Sequence, residues 1–457
     1  MEEILQKINA VVWGVPLLVA LVGTGIYFTI RLNLVQVFKL PLALKYLFTK
    51  NDDSEDLEGD VTSFGALCTA LASTIGTGNI VGVATAIRMG GPGALFWMWV
   101  AGFFGMATKY AECLLAVKYR VVDDNGQMSG GPMYYIERGM GNKWLAKLFA
   151  LFGIGVAFFG IGTFPQVNAI TTSAKISFNM PVALTTAILT ILVALVTIKG
   201  IKRISRIAEV LVPFMVILYV AGSILIIGLN FELIPNTIKL IFKSAFTTTA
   251  ASGGFLGASV MLAMRSGVAR GVFSNESGLG SAPIATAAAK TNSTVEQGLI
   301  SMTGTFFDTI IVCTMTGLII ILSGQWNGSL EGADMTTAAF GQGLPMGGSL
   351  IVTIGLILFA FTTILGWNYY GERCVEYLLG VKAIKAYRII FIILVGLGPF
   401  LKLNTIWILA DIVNGLMAIP NLIALMVLRE VVLRETESYF TKDLRRKPVV
   451  SYSHKNI

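Results

Sequence analysis

The sequence predicts an all-α polytopic membrane protein with about 11 transmembrane helices. Three observations carry that reading. Of the 457 residues, 55% are hydrophobic and only 13% are charged, whereas soluble domains carry about 25% charged residues. The apolar residues form long runs, each able to cross about 30 Å of hydrocarbon. Finally, two glycine-rich, polar segments, STIGTGNIVGVATAI (Ser73 to Ile87) and NESGLGSAPIATAAA (Asn275 to Ala289), read like copies of one another. Gly76 and Gly78 pair with Gly278 and Gly280, and Asn79 pairs with Ser281; after a one-residue slip, VATA at Val83 matches IATA at Ile284. Paired interruptions in corresponding positions of two halves put irregular backbone near the bilayer midplane, where a solute and its coupling ion can bind. The alternative is two ordinary small-residue packing faces.

In chain order, the first expected span is 11–30, which follows Met1 to Ala10 without a small-residue cleavage site and is expected to be retained. Residues 33–49 mix apolar positions with Lys39 and Lys45 and suit an interfacial amphipathic helix, followed by an acidic solvated loop from Asp52 to Asp60. Span 62–87 carries the first break. Spans 92–118, 146–174, 181–199 and 206–229 follow, and 146–174 carries a kinking proline in GTFPQVN. Residues 236–255 suit an outer re-entrant or interfacial helix before span 256–290, which carries the second break. Span 296–323 contains Asp308, and Met335 to Gly347 is placed over an outer vestibule. Spans 347–379, 386–401 and 405–429 complete the set, and the charged tail from Glu430 onward is expected to be partly disordered. No separate soluble domain is expected.

Eleven spans put the termini on opposite sides. With the N-terminus outside, 26 of the 34 Lys and Arg fall on the cytoplasmic side and 6 outside, with Arg265 and Arg270 inside the seventh span. That asymmetry is what cytoplasmic retention of positive charge produces. It also accounts for the net charge of +8, so nucleic-acid binding is not needed to explain it. Cys68, Cys113, Cys313 and Cys374 lie within spans and fit packing better than disulfides or a metal site, and the only histidine is His454 in the tail. Metal catalysis and histidine-based acid–base chemistry therefore have little to build on, and a membrane-embedded enzyme or a receptor without an appended signalling domain is disfavoured.

The breaks carry the chemistry. A helix that unwinds at Gly76, Thr77 and Gly78 and restarts toward Val83 presents an N-terminus. The N–H groups at Thr77, Gly78 and Asn79 suit a carboxylate, and the carbonyls released at Ala72 and Ile75 suit a small cation. Thr74 and Asn79 add oxygens without charge, although helix-end capping is an equal use for Asn79. The matching segment, Arg270 to Ser281, offers Phe273 as an apolar wall and Ser274, Asn275 and Glu276 as polar partners; packing is the plain alternative for Phe273. Arg270 and Glu276 are expected to pair with each other, since an unpaired charge at membrane depth costs at least a few kcal/mol. Otherwise Glu276, or Asp308, titrates during transport.

GGPGALFWMW (Gly90 to Trp99), RGVFSNESGLGSAP (Arg270 to Pro283) and QGLISMTGTFFDT (Gln297 to Thr309) resemble the hallmark stretches of the alanine or glycine:cation symporter family. The likeness covers most of the chain, and the departures, Val272, Ser277 and Leu279, are small or apolar exchanges. The resemblance implies a leucine-transporter-type fold: one extra leading helix, then two inverted five-helix repeats whose first helices are broken. The division expected here is 1–61 (leading helix and cytoplasmic amphipathic segment), 62–229 (first repeat), 230–429 (second repeat with outer re-entrant segment) and 430–457 (cytoplasmic tail). The resemblance further implies a sodium site formed by Ala72, Ile75, Phe359, Thr362 and Thr363, an oxygen-rich and nearly neutral shell. Back-bonding of each threonine to its own helix is the common alternative. Gln166, after the kinking Pro165, is the candidate for the ammonium or carboxylate edge of the solute, or else joins helices. Trp367 roofs a small pocket or simply packs.

The expected function is thus a sodium-coupled symporter taking up a small neutral amino acid, alanine or glycine, by alternating access. Na+ is the coupling ion and no other cofactor is expected; proton coupling through Glu276 or Asp308 is the alternative within transport. The expected place is the plasma membrane of a prokaryotic cell, multi-pass, N-terminus outside and C-terminus cytoplasmic, with the oligomeric state open.

Overall fold

The computed structural model describes residues 2–48, 57–247, 260–400 and 403–446. Among the described residues, eight helices are long and apolar enough to cross a membrane: Glu3–Arg31, Gly93–Lys118, Lys143–Phe178, Ile201–Leu229, Thr294–Leu322, Gly348–Leu379, Val381–Phe400 and Trp407–Val427. A ninth crossing is the pair Ser63–Thr74 and Gly78–Gly90, bent by 51° at the break. These nine coincide with nine of the expected spans. The other two fall on helices of different character. Val182–Thr197 is apolar but has 16 residues, giving roughly 24 Å at 1.5 Å per residue. Its Leu184, Ile188, Ile191 and Leu195 are nevertheless exposed along one face, as are Val210, Phe214, Ile217 and Ile224 of the next helix, and apolar stripes of this length match lipid rather than water. The second of the two is Val260–Asn275 with Ala282–Thr286, where Arg265, Arg270 and Asn275 lower the hydropathy. Residues 256–259 of that expected span, and 248–255 of the expected outer helix, lie outside the described residues; the described part of that helix is Ile234–Phe246.

Local chemistry explains where the spans start and stop. Ser63–Thr74 begins because the Thr62 hydroxyl accepts the Gly65 N–H at 2.8 Å, and it ends at Ile75, whose ψ of 91° leaves the helix. The chain restarts as a wide π turn, Gly78–Gly82, before regular helix from Val83. The fourth span is also interrupted: Lys143–Phe159 and Phe164–Phe178 are separate helices, and Pro165 sits in the first turn of the second, where its missing N–H costs nothing. The second break is shorter than the expected Arg270 to Ser281. Phe273, Ser274 and Asn275 remain helical, and only Glu276 to Ser281 unwind, with positive φ at Glu276 (56°), Gly278 (89°) and Gly280 (81°). A Cβ at Gly280 would stand 2.6 Å from Pro132 Cγ and 2.9 Å from Asn421 Cγ. Gly280→Ala combines that crowding with a left-handed backbone and is expected to cost about 2 kcal/mol or more, read as a lower melting temperature; an unchanged melt would show that the break relaxes.

Outside the spans, the chain departs from an all-helical plan once. Val121–Val122 and Met128–Ser129 form a two-stranded antiparallel hairpin whose turn is held by Asp123 Oδ1, which accepts the N–H groups of Asn125 and Gln127 at 2.8 Å each. Next to it, the Arg120 guanidinium donates to the carbonyls of Glu58, Ala287, Ala289 and Thr291. The backbone entering the first broken span and that leaving the second are joined directly: Asp60 and Val61 N–H donate to the Ala288 carbonyl, and Lys290 N–H donates to that of Val61. The expected interfacial segment is helical over Val35–Phe38 and Leu40–Phe48, and the segment expected over the vestibule, Met335 to Gly347, falls largely on the helix Gly332–Gly343. Within the tail expected to be partly disordered from Glu430, Arg429–Arg446 is a helix. Val432 is buried, Tyr110 and Thr436 share a hydrogen bond, and Tyr439 donates to Glu296 at 2.9 Å. Its apolar positions are used against the bundle, and Glu435 pairs with Lys118 at 2.7 Å; residues 447–457 lie outside the described residues.

Candidate functional site

The two breaks meet in the interior. At the first, Gly76 N–H donates to Asn79 Oδ1 at 2.9 Å instead of returning to the Ala72 carbonyl four residues back. Asn79 Nδ2 donates in turn to Asp308 Oδ1 at 2.7 Å. Thr77 N–H donates to Gln166 Oε1 at 3.3 Å, and Gln166 Nε2 donates to Thr77 Oγ1 at 3.1 Å and to the Ile161 carbonyl at 2.9 Å. A Cβ at Gly78 would lie 3.0 Å from Ser274 Cα and 3.4 Å from Phe273 Cδ1, so glycine there lets the two broken spans touch. Ser274 Oγ and Thr309 Oγ1 donate to Asp308 Oδ2 at 3.0 and 2.7 Å. Gly76, Thr77, Gly78, Asn79, Gln166, Phe273 and Ser274 thus converge. Thr77, Asn79, Ser274 and Asp308 are each 0% exposed, so Asp308, left unassigned by the sequence, is the fixed acceptor of this cluster.

A second group of oxygens lies on the other side of the first break. Thr363 Oγ1 donates to the Phe359 carbonyl at 2.9 Å and reaches the Ile75 carbonyl at 3.4 Å. Thr362 Oγ1 donates to the same Phe359 carbonyl at 3.0 Å, with Met215 Sδ at 3.7 Å. Both threonines therefore back-bond within Gly348–Leu379, and Thr363 in addition touches the carbonyl that the break releases. No group of three or more His, Cys, Asp or Glu side chains able to hold a metal occurs among the described residues.

Three expected site residues face elsewhere. Thr74 Oγ1 donates to the Ala70 and Leu71 carbonyls of its own helix. Asn275 donates to Thr309 Oγ1 at 3.0 Å and accepts the Ser277 N–H at 2.8 Å, which fastens the start of the second break. Trp367 Nε1 donates to Glu276 Oε1 at 3.0 Å, and Ser281 Oγ donates to the other oxygen of Glu276. The expected Arg270–Glu276 pair does not form. The helix ends at Asn275 and Glu276 already has a positive φ, which turns its side chain toward Trp367 and Ser281, and Arg270 instead makes a two-pronged pair with Asp411, 3.0 Å on each arm.

Arg270 also opens onto a cavity of about 430 Å³ lined by Val81, Thr85, Pro165, Asn168 and Trp407, with Glu331 and Asp334 also in its lining. Arg270 and Trp407 of this lining join a cluster with Phe273. The Arg270 guanidinium lies 5.3 Å from the Phe273 ring centroid, and the Phe273 and Trp407 centroids are 5.9 Å apart. Sequence reasoning missed Asp411 and Trp407. The available signal was a lone acid in the apolar span 405–429, which an arginine in another span requires as its counter-charge.

Away from that cavity the interior is closed by polar ties. Glu112 Oε1 accepts from Gly278 N–H at 3.0 Å and Asn421 Nδ2 at 2.6 Å, and Asn421 also donates to the Gly278 carbonyl at 2.9 Å. Farther along Gly348–Leu379, the fully buried Arg373 donates to Asp123 at 3.0 Å, Ser129 at 3.1 Å and Glu372 at 2.9 Å. Glu372 is shared with Arg388, whose Nε lies 2.6 Å away.

Comparison with known proteins agrees with this arrangement. The profile of the sodium:alanine symporter family matches residues 1–452. An uncharacterized transporter of Haemophilus influenzae is 63% identical over 443 residues, 96% of each chain. The sodium/alanine symporter AgcS of Methanococcus maripaludis is 50% identical over 445 residues, 96% of this chain and 97% of that one. Among solved structures, a variant of the manganese transporter of Eremococcus coleocola superposes with a TM-score of 0.51 at 12% identity, covering 83% of this chain and 82% of that chain, which shows a shared polytopic fold. Broken spans, a buried neutral oxygen cluster and these matches lead to one assignment: the chain belongs to the sodium:alanine symporter family and is a sodium-coupled amino-acid symporter of the membrane, not an enzyme.

Proposed function

We propose that the protein takes up a small neutral amino acid, alanine or glycine, with sodium by alternating access across the plasma membrane of a prokaryotic cell. In this reading the N-terminus is outside and the C-terminus cytoplasmic, so the 430 Å³ cavity is the outer vestibule. The single observation that carries the proposal is the meeting of the Thr363 hydroxyl with the Ile75 carbonyl released at the first break. Sodium needs several neutral oxygens in a dry place. The carbonyls of Ala72, Ile75 and Phe359 and the hydroxyls of Thr362 and Thr363 supply that set between two helices that a bound ion would draw together.

The amino acid is assigned to the segment beside it. Its carboxylate takes the Thr77 and Gly78 N–H groups, replacing the 3.3 Å contact to Gln166, and Gln166, Asn79 and Ser274 supply amide and hydroxyl partners. Phe273 forms the wall; its contact with Gly78 leaves room only for a short side chain. Thr74 and Gly76 shape the break, while Asn275 and Trp367 hold the second break in place through Thr309 and Glu276. The Arg270–Asp411 pair with Phe273 and Trp407 forms the outer closure, and the Glu112 and Arg373 ties form the inner one. Residues 62–229 and 230–429 act as the two inverted repeats of this cycle, after the leading segment 1–61 and before the tail 430–457.

Calorimetric titration of the purified protein with L-alanine, glycine and D-alanine, in sodium and again in choline, tests the reading. Binding of at least one of these in sodium and none in choline is expected. Equal binding in choline would remove the role of Thr362 and Thr363 and turn attention to Glu276 and Asp308 as proton carriers.

A further inference from the structure

The leading span Glu3–Arg31 and the second broken span, helical over Val260–Asn275, both flank Gly93–Lys118 and leave a groove of about 320 Å³ between them. Val15, Val22 and Ile26 line one wall, Val100 the back, and Met264 and Val268 the other wall. Val15, Val19 and Met261 of the lining are exposed, so the groove lies on the outside of the bundle, where lipid meets it. Its one charged group is Arg265, which is exposed and makes no hydrogen bond or ion pair among the described residues. No acid lines the groove. Gly23 is also in the lining, and a Cβ there would meet nothing within 4 Å. A glycine inside a helix weakens it, and no packed neighbour calls for this one; its effect is to keep the groove open.

The depth of the groove follows from the packing beside it. A Cβ at Gly90 would stand 2.8 Å from Ala263 Cα, and one at Gly267 would meet the Ala94 carbonyl and stand 2.7 Å from Trp97 Cβ. Arg265 therefore lies level with the turn at Gly91 and Pro92, between Val83–Gly90 and Gly93–Lys118. A turn between two spans belongs at the membrane surface, because hydrocarbon offers its open N–H and C=O groups no partner. At the far end, a Cβ at Gly25 would stand 2.7 Å from the Phe104 carbonyl oxygen. Phe104 lies 11 residues beyond Gly93, about 16 Å along the helix. The groove thus runs from headgroup depth to near the midplane of a hydrocarbon core about 30 Å thick, the reach of one acyl chain.

We propose that this groove seats one anionic glycerophospholipid, with its phosphate on the Arg265 guanidinium and one acyl chain along the Val15 to Ile26 wall. An unpaired arginine beside hydrocarbon needs an anion, and its planar fork matches a phosphate. A choline or ethanolamine headgroup brings a cation for which the lining has no acid, so a net negative lipid is favoured. In the orientation proposed above, this is a lipid of the outer leaflet. Bound there, it holds the leading span against the second broken one.

Native mass spectrometry and thermal melts of the delipidated protein test this with dioleoyl phosphatidylglycerol, dioleoyl phosphatidylcholine and glycerol 3-phosphate. Wild type is expected to retain one phosphatidylglycerol and melt higher with it, to bind phosphatidylcholine about fivefold more weakly, and not to bind glycerol 3-phosphate. Arg265→Gln is expected to weaken phosphatidylglycerol about fivefold and abolish the headgroup preference. Gly23→Leu fills the open space and is expected to expel either lipid, while the lipid-free melts of both variants match wild type. Unchanged phosphatidylglycerol binding by either variant overturns the proposal. So does a wild type that retains no lipid or binds both lipids equally, and so does glycerol 3-phosphate competing at equal concentration, which would mark a site for free phosphate. A wild-type dimer that Gly23→Leu splits, with no lipid bound, would assign the groove to a second copy of the chain instead. If one variant does not fold, the wild-type headgroup preference and the other variant decide.

Discussion

Replacement of Thr363 by alanine is expected to abolish sodium-dependent uptake while leaving the protein folded. The hydroxyl that is lost back-bonds to the Phe359 carbonyl at 2.9 Å, a contact that contributes little to helix stability and often bends the helix. Its other contact, to the Ile75 carbonyl at 3.4 Å, bridges two spans at the point where the first one unwinds. Losing one of a handful of oxygens from a buried cation shell is expected to cost about 2 kcal/mol or more, a thirtyfold or greater loss of sodium affinity by the usual conversion of about 1.4 kcal/mol per tenfold. Gly76→Ala approaches the same atom from the opposite side, because its Cβ would stand 2.5 Å from Thr363 Oγ1 and push the hydroxyl away. Both variants should melt near the wild-type temperature and bind alanine in sodium no better than in choline. Sodium-driven uptake at wild-type rates in both would eliminate this oxygen cluster as the coupling site.

The second large effect concerns stability. Arg373→Met is expected to destabilise the protein by about 3–5 kcal/mol, since it strips the partner from buried acids. Arg373 and Asp123 side chains are both 0% exposed, and Glu372 is 1% exposed. Asp123 uses its other oxygen to close the hairpin turn, so its orientation depends on the same guanidinium. Arg373→Lys should recover only part of the loss, because a single ammonium cannot reproduce the fork that reaches Asp123, Ser129 and Glu372 together. The readout is detergent-solubilised yield and melting temperature. A melting temperature for Arg373→Met within a degree or two of wild type would mean that water or neighbouring groups already neutralise the acids.

The features legible in the sequence were those written in local pattern. Apolar runs gave the spans, and Gly76, Gly78, Gly278 and Gly280 gave both breaks because glycine is what a tight approach or positive φ requires there. The pairing of Thr363 with Ile75 was reachable only through the family resemblance, as the two lie 288 residues apart. Arg270 was assigned to Glu276 because nearness in sequence was the only nearness visible; its partner, Asp411, is 141 residues away. Lys109 is 2% exposed while Lys118 and Lys143 nearby reach the surface, and burial of one lysine among such neighbours leaves no local mark. The helix in the first part of the tail was hidden for the opposite reason. Its charge density suggested solvation, yet Val432, Thr436 and Tyr439 recur at three- and four-residue spacing and form the face that docks.

The backbone bonds joining Asp60 and Val61 to Ala288, and Lys290 to Val61, bracketed by the four carbonyls that Arg120 gathers, yoke the foot of one broken span to the foot of the other. Displacing either foot alone would strand several main-chain donors and acceptors at once, a penalty far larger than thermal energy. Under the alternating access proposed above, the two are therefore expected to tilt as a single lever, with both breaks opening or shutting in one stroke.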